Sequence, residues 1–294
     1  MPRRALLIVN AKSRSGALQC EIAIERLKDH GIEPIHVDCG RREDLSPLIV
    51  KHAKDVECAV IGGGDGTLNA AAFGVIEAGL PLGILPLGTA NDLARTLDVP
   101  FDLDGAAQVI ADGHTRKIDL GIVNGEPFFN VASIGLSADL AQKLTRDIKR
   151  RWGRLGYAMV ALNVLMHAKP FRATIYSESE AARVRTLQVA VGNGRFYGGG
   201  NAVEQDAAID DHHLDLYSLE LRRAWKLALM ARSFRQGRQG AWSEVRAVRA
   251  KEFDIRTRKP RPVNADGEIV TQTPAHFSIR PSAVTVFAPK KAKG

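Results

Sequence analysis

Cysteine is scarce. Cys20, Cys39 and Cys58 are the only three in 294 residues, scattered, odd in number and without a C-x-x-C pair. That points away from a disulfide framework or a zinc site and fits a reducing cytoplasm. Long apolar runs are also missing. Ala5 to Val9 is too short for a signal peptide, and the apolar stretch from Leu68 to Ala90 is interrupted by Glu77, Pro81 and Pro86. Residue 2 is Pro2, which excludes a myristoyl site, so contact with lipid must be peripheral. No G-x-x-x-x-G-K-[ST] loop occurs. Gly62, Gly64 and Thr67 miss the third position of G-x-G-x-x-G, and Asp38 precedes these glycines where a ribose-binding acid should follow them. There is no aromatic–basic recognition motif for nucleic acid, no internal repeat and no low-complexity segment.

What is present is ordinary in amount and unusual in arrangement. Hydrophobic residues make up 45% and charged residues 25%, as in a globular protein with a sizeable core, and the length suits two domains. The formal net charge of +8 favours anionic partners: a nucleotide, a nucleic acid or a membrane surface.

The arrangement centres on Gly62-Gly63-Gly64-Asp65-Gly66-Thr67. It follows the apolar run Ala59-Val60-Ile61 and precedes a helical pattern from Leu68 to Ala78. The glycines permit positive φ and a close approach of backbone to ligand. The turn ends at a helix start, where free N–H groups and the helix dipole favour a phosphate. A second turn, Leu87-Gly88-Thr89-Ala90-Asn91-Asp92, joins the strand Pro81–Pro86 to a helix from Leu93 to Leu97, with Thr89 or Asn91 as the expected N-cap. Turns on successive parallel strands would lie side by side at the strands' carboxyl ends. A carboxylate among phosphates, as Asp65 would be, makes sense with a cation between them; alternatively it caps a helix.

These two motifs together resemble the bacterial lipid kinases of the diacylglycerol kinase and sphingosine kinase superfamily. Gly-Gly-Asp-Gly alone would also admit NAD kinases. The resemblance implies an ATP- and Mg²⁺-dependent transfer of phosphate to a lipid hydroxyl. It implies a nucleotide site of Asn10, Gly63, Gly64, Asp65, Gly66, Thr67, Asn69, Gly88, Thr89, Asn91 and Asp92. Asn264-Ala265-Asp266-Gly267-Glu268 resembles the family's Asp-Gly-Glu motif, which makes Asp266 the proton acceptor and Glu268 a neighbouring acid. Read from the residues alone, the same stretch is an Asp-Gly hairpin turn, and Asp65 is the alternative base. Ala208 to Asp215 corresponds to a structural Mg²⁺ site, with the Asp211 carboxylate and the carbonyls of Ala208 and His213 as ligands. His212 stands where the family usually has glycine, and a Cβ there works against a positive φ.

The remaining chain fits two domains. Strands and helices alternate through residues 1–123, giving an α/β domain with a parallel sheet; the resemblance implies that this sheet is NAD-kinase-like and that 282–294 returns to it. From 124 to 281 short strands prevail: Arg172–Tyr176, Thr186–Val191, Leu214–Leu219, Glu252–Thr257 and Ala275–Ile279 predict an all-β antiparallel sandwich that takes the lipid, with a helical insertion at Leu221–Phe234. Phe128 to Gly135 resembles a family segment that enters the second domain, and Gly192 to Gly200 matches one whose glycines would give room for a lipid head group; read alone, the latter is a glycine-rich hairpin with no ligand. Lys143, Arg146, Lys149, Arg150, Arg151 and Arg154 cluster near Trp152 and suit transient docking on an anionic bilayer. ATP and a membrane lipid are the expected partners, nucleic acid is not, and a homodimer is left open. A helix terminus favours an anion by only ~0.3–2 kcal/mol, whereas enzymes lower barriers by roughly 8–23 kcal/mol. The glycine turns can therefore hold ATP but need a metal and a base to turn it over. The rivals are an NAD kinase-like enzyme and a non-catalytic basic lipid-binding protein.

Overall fold

The computed structural model describes residues 2–9, 14–143, 163–164, 167–178, 180–194, 196–197, 201–202, 208–221, 242 and 244–290. Asn10, the basic segment 144–157, most of the 221–234 insertion and residues 198–200 of the glycine-rich segment therefore lie outside the described residues. Contacts divide the chain into two units: 1–120 with 281–294, and 121–280.

In the first unit the elements are β1 (Arg3–Val9), α1 (Arg14–Asp29), β2 (Ile32–His36), a 3-10 turn at Arg42–Asp44, α2 (Leu45–His52), β3 (Cys58–Gly63), α3 (Asp65–Ala78), β4 (Leu82–Pro86), α4 (Asp92–Thr96), α5 (Leu103–Asp112) and the start of β5 (Thr115–Val123). The strands pair in parallel in the order β2-β1-β3-β4. β3 and β4 are buried along their whole length, as strands covered on both faces must be. Right-handed crossovers then put α1 on one face and α2 and α3 on the other. The helices pair accordingly, α1 with α5 and α2 with α3. Gly74 lets α2 come close: a Cβ there would stand 2.6 Å from the Cα of Ser46. Ser46 Oγ donates to the Ala70 carbonyl at 2.7 Å and accepts the Gly74 N–H at 2.9 Å. Leu6, Leu7, Ile8, Ile61 and Leu68 are at most 1% exposed, and each such side chain contributes ~1.5–3 kcal/mol.

The second unit continues with the end of β5, β6 (Glu126–Phe128), β7 (Val131–Gly135), α6 (Leu136–Lys143), β8 (Phe171–Ser177), β9 (Ala181–Thr186), β10 (Gln188–Gly192), β11 (Phe196–Tyr197), β12 (Asn201–Ala202), β13 (Leu214–Leu219), β14 (Val245–Ala250), β15 (Glu252–Thr257), β16 (Pro262–Ala265), β17 (Glu268–Gln272) and the start of β18 (Ala275–Phe287). One antiparallel sheet runs β18-β15-β8-β9 and the other β14-β13-β10-β7-β16-β17. Phe171, Ile175, Phe253 and Phe277 of the first pack with Ile134, Val191, Leu216 and Val263 of the second. This is the antiparallel β domain the short strands predict. Strands β9 and β14 are additional to that reading.

Two strands belong to both units. β5 enters the second unit after Leu120, and β18 leaves it after Arg280. In the first unit, Val286 of β18 pairs in parallel with Leu82 of β4, and the Ser282 N–H donates to Asp119 Oδ1 at 2.6 Å.

Candidate active site

In the first unit the strand order reverses between β1 and β3, because the chain moves outward from β1 to β2 and then back across to β3. Open α/β sheets bind ligands at the carboxyl ends of the strands at such a switch point. Among the described residues, the first glycine turn leaves the sheet there, at the end of β3.

The glycines of that turn act differently from the expectation. Gly62 and Gly63 belong to β3, Gly64 is the N-cap of α3 with φ −98°, and Gly66 lies inside the helix. None of them, nor Gly88, takes a positive φ. Their value is space. A Cβ on Gly88 would lie 2.4 Å from the Cα of Gly64, so the two turns meet backbone against backbone. Any side chain at either position would separate them.

Asp65 links the turns a second time. Its Oδ1 accepts the Leu93 N–H at 2.9 Å, so a carboxylate from α3 caps α4. The expected caps do other work. Thr89 is exposed. Asn91, in the left-handed region at φ 51°, folds its amide back. Asn91 Oδ1 accepts the Gly88 N–H at 2.9 Å, and Nδ2 donates to the carbonyls of Pro86 and Gly88 at 3.2 and 3.0 Å. It occupies the expected N-cap position of α4, but its side chain fixes the second turn and makes no capping bond to the helix. Asp65, Asn69, Asn91 and Asp92 are all buried. Asn69 stands one helical turn after Asp65, and its Oδ1 is buried with no hydrogen-bond partner among the described residues. Such an orphaned acceptor suits a cation or an N–H or O–H donor of a ligand.

Sequence reasoning missed Arg42. Its guanidinium donates to the Gly66 carbonyl, in the first turn of α3. A cation beside the positive end of a helix dipole is electrostatically opposed until an anion joins it. The charged run Arg41-Arg42-Glu43-Asp44 gave no signal of this, since the contact bridges 24 residues.

In the second unit, three of the motif segments lie on adjacent strands, β16, β7 and β10. Asp266 and Gly267 form the β16–β17 turn with φ of 43° and 95°. Both central residues at positive φ mark the hairpin turn that favours Asp-Gly. The Asp266 carboxylate reaches the start of β7. Oδ2 accepts the Phe129 N–H at 2.7 Å, Oδ1 accepts the Val131 N–H at 2.9 Å, and both oxygens share the Asn130 N–H at 3.2 Å. From the other side, Asn193 Nδ2 donates to the Phe129 carbonyl at 2.8 Å, and the N–H groups of Asn193 and Gly194 reach the Asn130 carbonyl. Residues 129–131 are thus held between Asp266 and Asn193. Glu268 is exposed at the start of β17.

The proposed structural metal ligands do not assemble as the family pattern implies. The N–H groups of Ala208 and His213, not their carbonyls, meet the Asp211 carboxylate, at 3.3 and 3.0 Å. Arg249 Nη2 lies 2.5 Å from Asp211 Oδ2. A guanidinium and two amides engage both oxygens, so this donor set does not fit Mg²⁺. His212 does adopt the positive φ, 62°, that glycine would take at no cost. His212 is exposed, while His213 Nδ1 lies 2.8 Å from the Asp211 carbonyl, so the pair faces different surroundings. Among the described residues no group of three or more His, Cys, Asp or Glu side chains is arranged to hold a metal ion.

The cysteines carry no sign of catalysis. Burial pushes the Cys58 thiol up to about 11. Cys20 is raised too, first by burial and then by Asp38 and Glu21, although its Sγ lies 3.2 Å from His36 Nε2. Among the described residues no helix is long and apolar enough to cross a membrane.

Comparison with known proteins agrees with this arrangement. Residues 4–123 match the diacylglycerol kinase catalytic domain, and residues 130–288 match the YegS C-terminal NAD kinase beta sandwich-like domain. The chain is 31% identical over 279 residues to a diacylglycerol kinase of Mycobacterium tuberculosis, covering 91% of this chain and 89% of that one. It is 35% identical over 219 residues to a "Probable lipid kinase YegS-like" of Enterobacter sp., covering 72% and 73%. A solved diacylglycerol kinase structure from Bacillus anthracis shares the fold with a TM-score of 0.74 at 22% identity, over 98% of this chain and 97% of that one.

Proposed function

The chain belongs to the bacterial diacylglycerol and YegS-like lipid kinase family, and from that membership we propose that it transfers the γ-phosphate of ATP to the hydroxyl of a membrane glycerolipid. The observation that carries the reading is the backbone contact of Gly64 with Gly88, bridged by Asp65, at the carboxyl ends of β3 and β4, with β3 bordering the switch point of the sheet. Phosphoryl transfer needs positioning and charge compensation more than covalent help. The two turns and the start of α3 hold the triphosphate, and Arg42 adds charge beside the first turn. Asp65 and Asn69 would hold a Mg²⁺ arriving with ATP, which the orphaned Asn69 oxygen fits; the metal would supply neutralisation of the charge on the phosphate oxygens.

Asp266 accepts the hydroxyl proton as the substrate oxygen bonds to the γ-phosphorus and the bond to the β–γ bridging oxygen breaks, releasing ADP. The amides of Phe129, Asn130 and Val131 fix the direction of its carboxylate. General-base help of this kind is worth ~10²–10⁴-fold. Should Asp266 act only as an anchor for residues 129–131, Asp65 takes the proton instead.

The test is transfer from γ-labelled ATP to a panel of lipids in mixed micelles, with NAD as a soluble alternative acceptor. Label on diacylglycerol or a related glycerolipid supports the reading. Label on NAD and on no lipid would show an NAD kinase, and no transfer with intact vesicle binding would show a non-catalytic lipid binder.

A further inference from the structure

The two sheets of the second unit bury their faces unequally. In the sheet that carries Asp266, strand β10 is buried at every position, and a second apolar cluster including Leu187, Tyr217 and Leu219 lies apart from the main core. In the other sheet, β8, β9 and β15 alternate buried and exposed residues, so one face is open to solvent.

That open face is arginine-rich. Register places Arg172 of β8 opposite Arg185 of β9, and Thr174 of β8 opposite both Arg183 of β9 and Arg256 of β15. All four arginines are exposed, and Arg258 and Lys259 follow directly after β15, also exposed. Among the described residues none of these six cations has an ion-pair partner. Tyr176, 38% exposed, shares the face with its ring under the Arg256 guanidinium at 5.3 Å. Two acids of β15 share this face: Asp254 is matched by His276 at 3.2 Å, and Glu252 is exposed at the strand's start, at the far end from Arg256.

Like charges directly opposite in a sheet are destabilising. β9 is the edge strand, and charged side chains there discourage edge-to-edge pairing. This accounts for Arg183 and Arg185. It does not account for Arg172 and Arg256, which sit on the interior strands β8 and β15. Arg256 gains a cation–π contact with Tyr176, but no contact within the chain answers for Arg172 among the described residues, so the row as a whole answers to something outside the chain.

We propose that the Arg172–Arg183–Arg185–Arg256 face of the second unit docks on an anionic phospholipid bilayer. The surface is a sheet face with cations in adjacent rows and one amphipathic aromatic, which matches a plane of headgroup phosphates. It offers no helix to a groove and no platform of stacked aromatics, which recognition of nucleic acid would need. The choice of a bilayer over other polyanions rests on the lipid-kinase reading. Its residues are different ones from the basic segment around Trp152, so the two contributions separate by mutation.

Vesicle flotation with the full chain tests this. Wild type should float with phosphatidylglycerol–phosphatidylcholine vesicles, float poorly with phosphatidylcholine alone, and lose binding as salt rises. Each arginine neutralised should weaken binding about fivefold. Arg172→Gln with Arg256→Gln should therefore cost roughly 25-fold, and the quadruple Gln variant several hundred-fold. Melting temperature should hold or rise, since opposed charges are removed, and turnover in neutral detergent micelles should be unchanged. Undiminished flotation of the quadruple variant overturns the proposal. So does binding of wild type to duplex DNA but not to vesicles, or an equal loss of micelle turnover. If wild type shows no lipid phosphorylation in micelles while flotation still depends on these arginines, the kinase reading falls and the docking face stands.

Discussion

Two Asp-Gly pairs, Asp65-Gly66 and Asp266-Gly267, have the same sequence on different backbones. The first opens α3 without a positive φ, and its carboxylate accepts the N–H of Leu93, at the start of another helix. The second is a hairpin turn with both residues at positive φ, and its carboxylate takes three amides from residues 129–131. Around Asp65 the neighbouring glycines matter for what they lack, since any Cβ on Gly88 would strike Gly64. Around Asp266 no such crowding exists: a Cβ on Gly267 would meet nothing within 4 Å. One bend works by bringing backbones together, the other by aiming a side chain.

Mutations can separate these two modes. The largest effect is expected from Asp266→Asn. Turnover should fall ~10²–10⁴-fold with ATP binding retained. Replacing one acceptor oxygen by an NH₂ facing the amides should also lower stability by ~1–3 kcal/mol. Steady-state kinetics and thermal melts read the two effects separately. Unchanged turnover would remove Asp266 from the role of base.

Next is Gly88→Ala, compared with Gly267→Ala. The first overpacks a backbone contact and should cost ~1–3 kcal/mol, with ATP affinity reduced at least about tenfold as the turns part. The second meets only φ strain, of order 1–3 kcal/mol, and should leave ATP affinity alone. Equal ATP affinities in the two variants would break the contrast. Calorimetric titration with ATP decides it.

Arg42→Gln should weaken ATP binding roughly two- to thirtyfold, the range of charge effects at a helix terminus. An unchanged dissociation constant would mean that Arg42 serves only the Gly66 carbonyl.

The smallest effect concerns Cys58. Its thiol is raised to about 11 by burial, from an ordinary 9.0. Ionisation is easier in the unfolded chain, so this group's contribution is fully present below pH about 9 and is lost as pH rises through about 11. Denaturation midpoints should fall over that window. At neutral pH a thiol reagent should label the partly exposed Cys39 long before the buried Cys58.

Much of the fold was legible because its signals are local. Continuous apolar runs at Ala5–Val9 and Ala59–Ile61 read as buried parallel strands, and Leu214–Leu219 and Glu252–Thr257 coincide with β13 and β15. β9 and β14 were not legible. Their sequences, AARVRT and VRAVRA, are rich in alanine and arginine, with weak strand preference, and register with β8 and β13 makes them strands. At the candidate site the glycine turns were legible; of the two reasons given for the glycines, positive φ is not used, while the lack of a Cβ matters for the approach of one turn to the other. The Asp65–Leu93, Arg42–Gly66 and Asp211–Arg249 contacts were not legible, since each joins residues 24 or more positions apart. Sequence spacing does not report which distant polar groups a fold brings face to face.

Val286, near the end of β18, pairs with Leu82 of β4 although the whole second unit is synthesised in between. On a translating ribosome the nucleotide-side sheet exists for some 190 residues of synthesis with the β4 border uncovered. A nascent chain in that condition presents bare N–H and C=O groups to any other strand. Completion of the first unit is therefore timed by arrival of residues 281–287, and a chain stalled earlier is left with an adhesive rim.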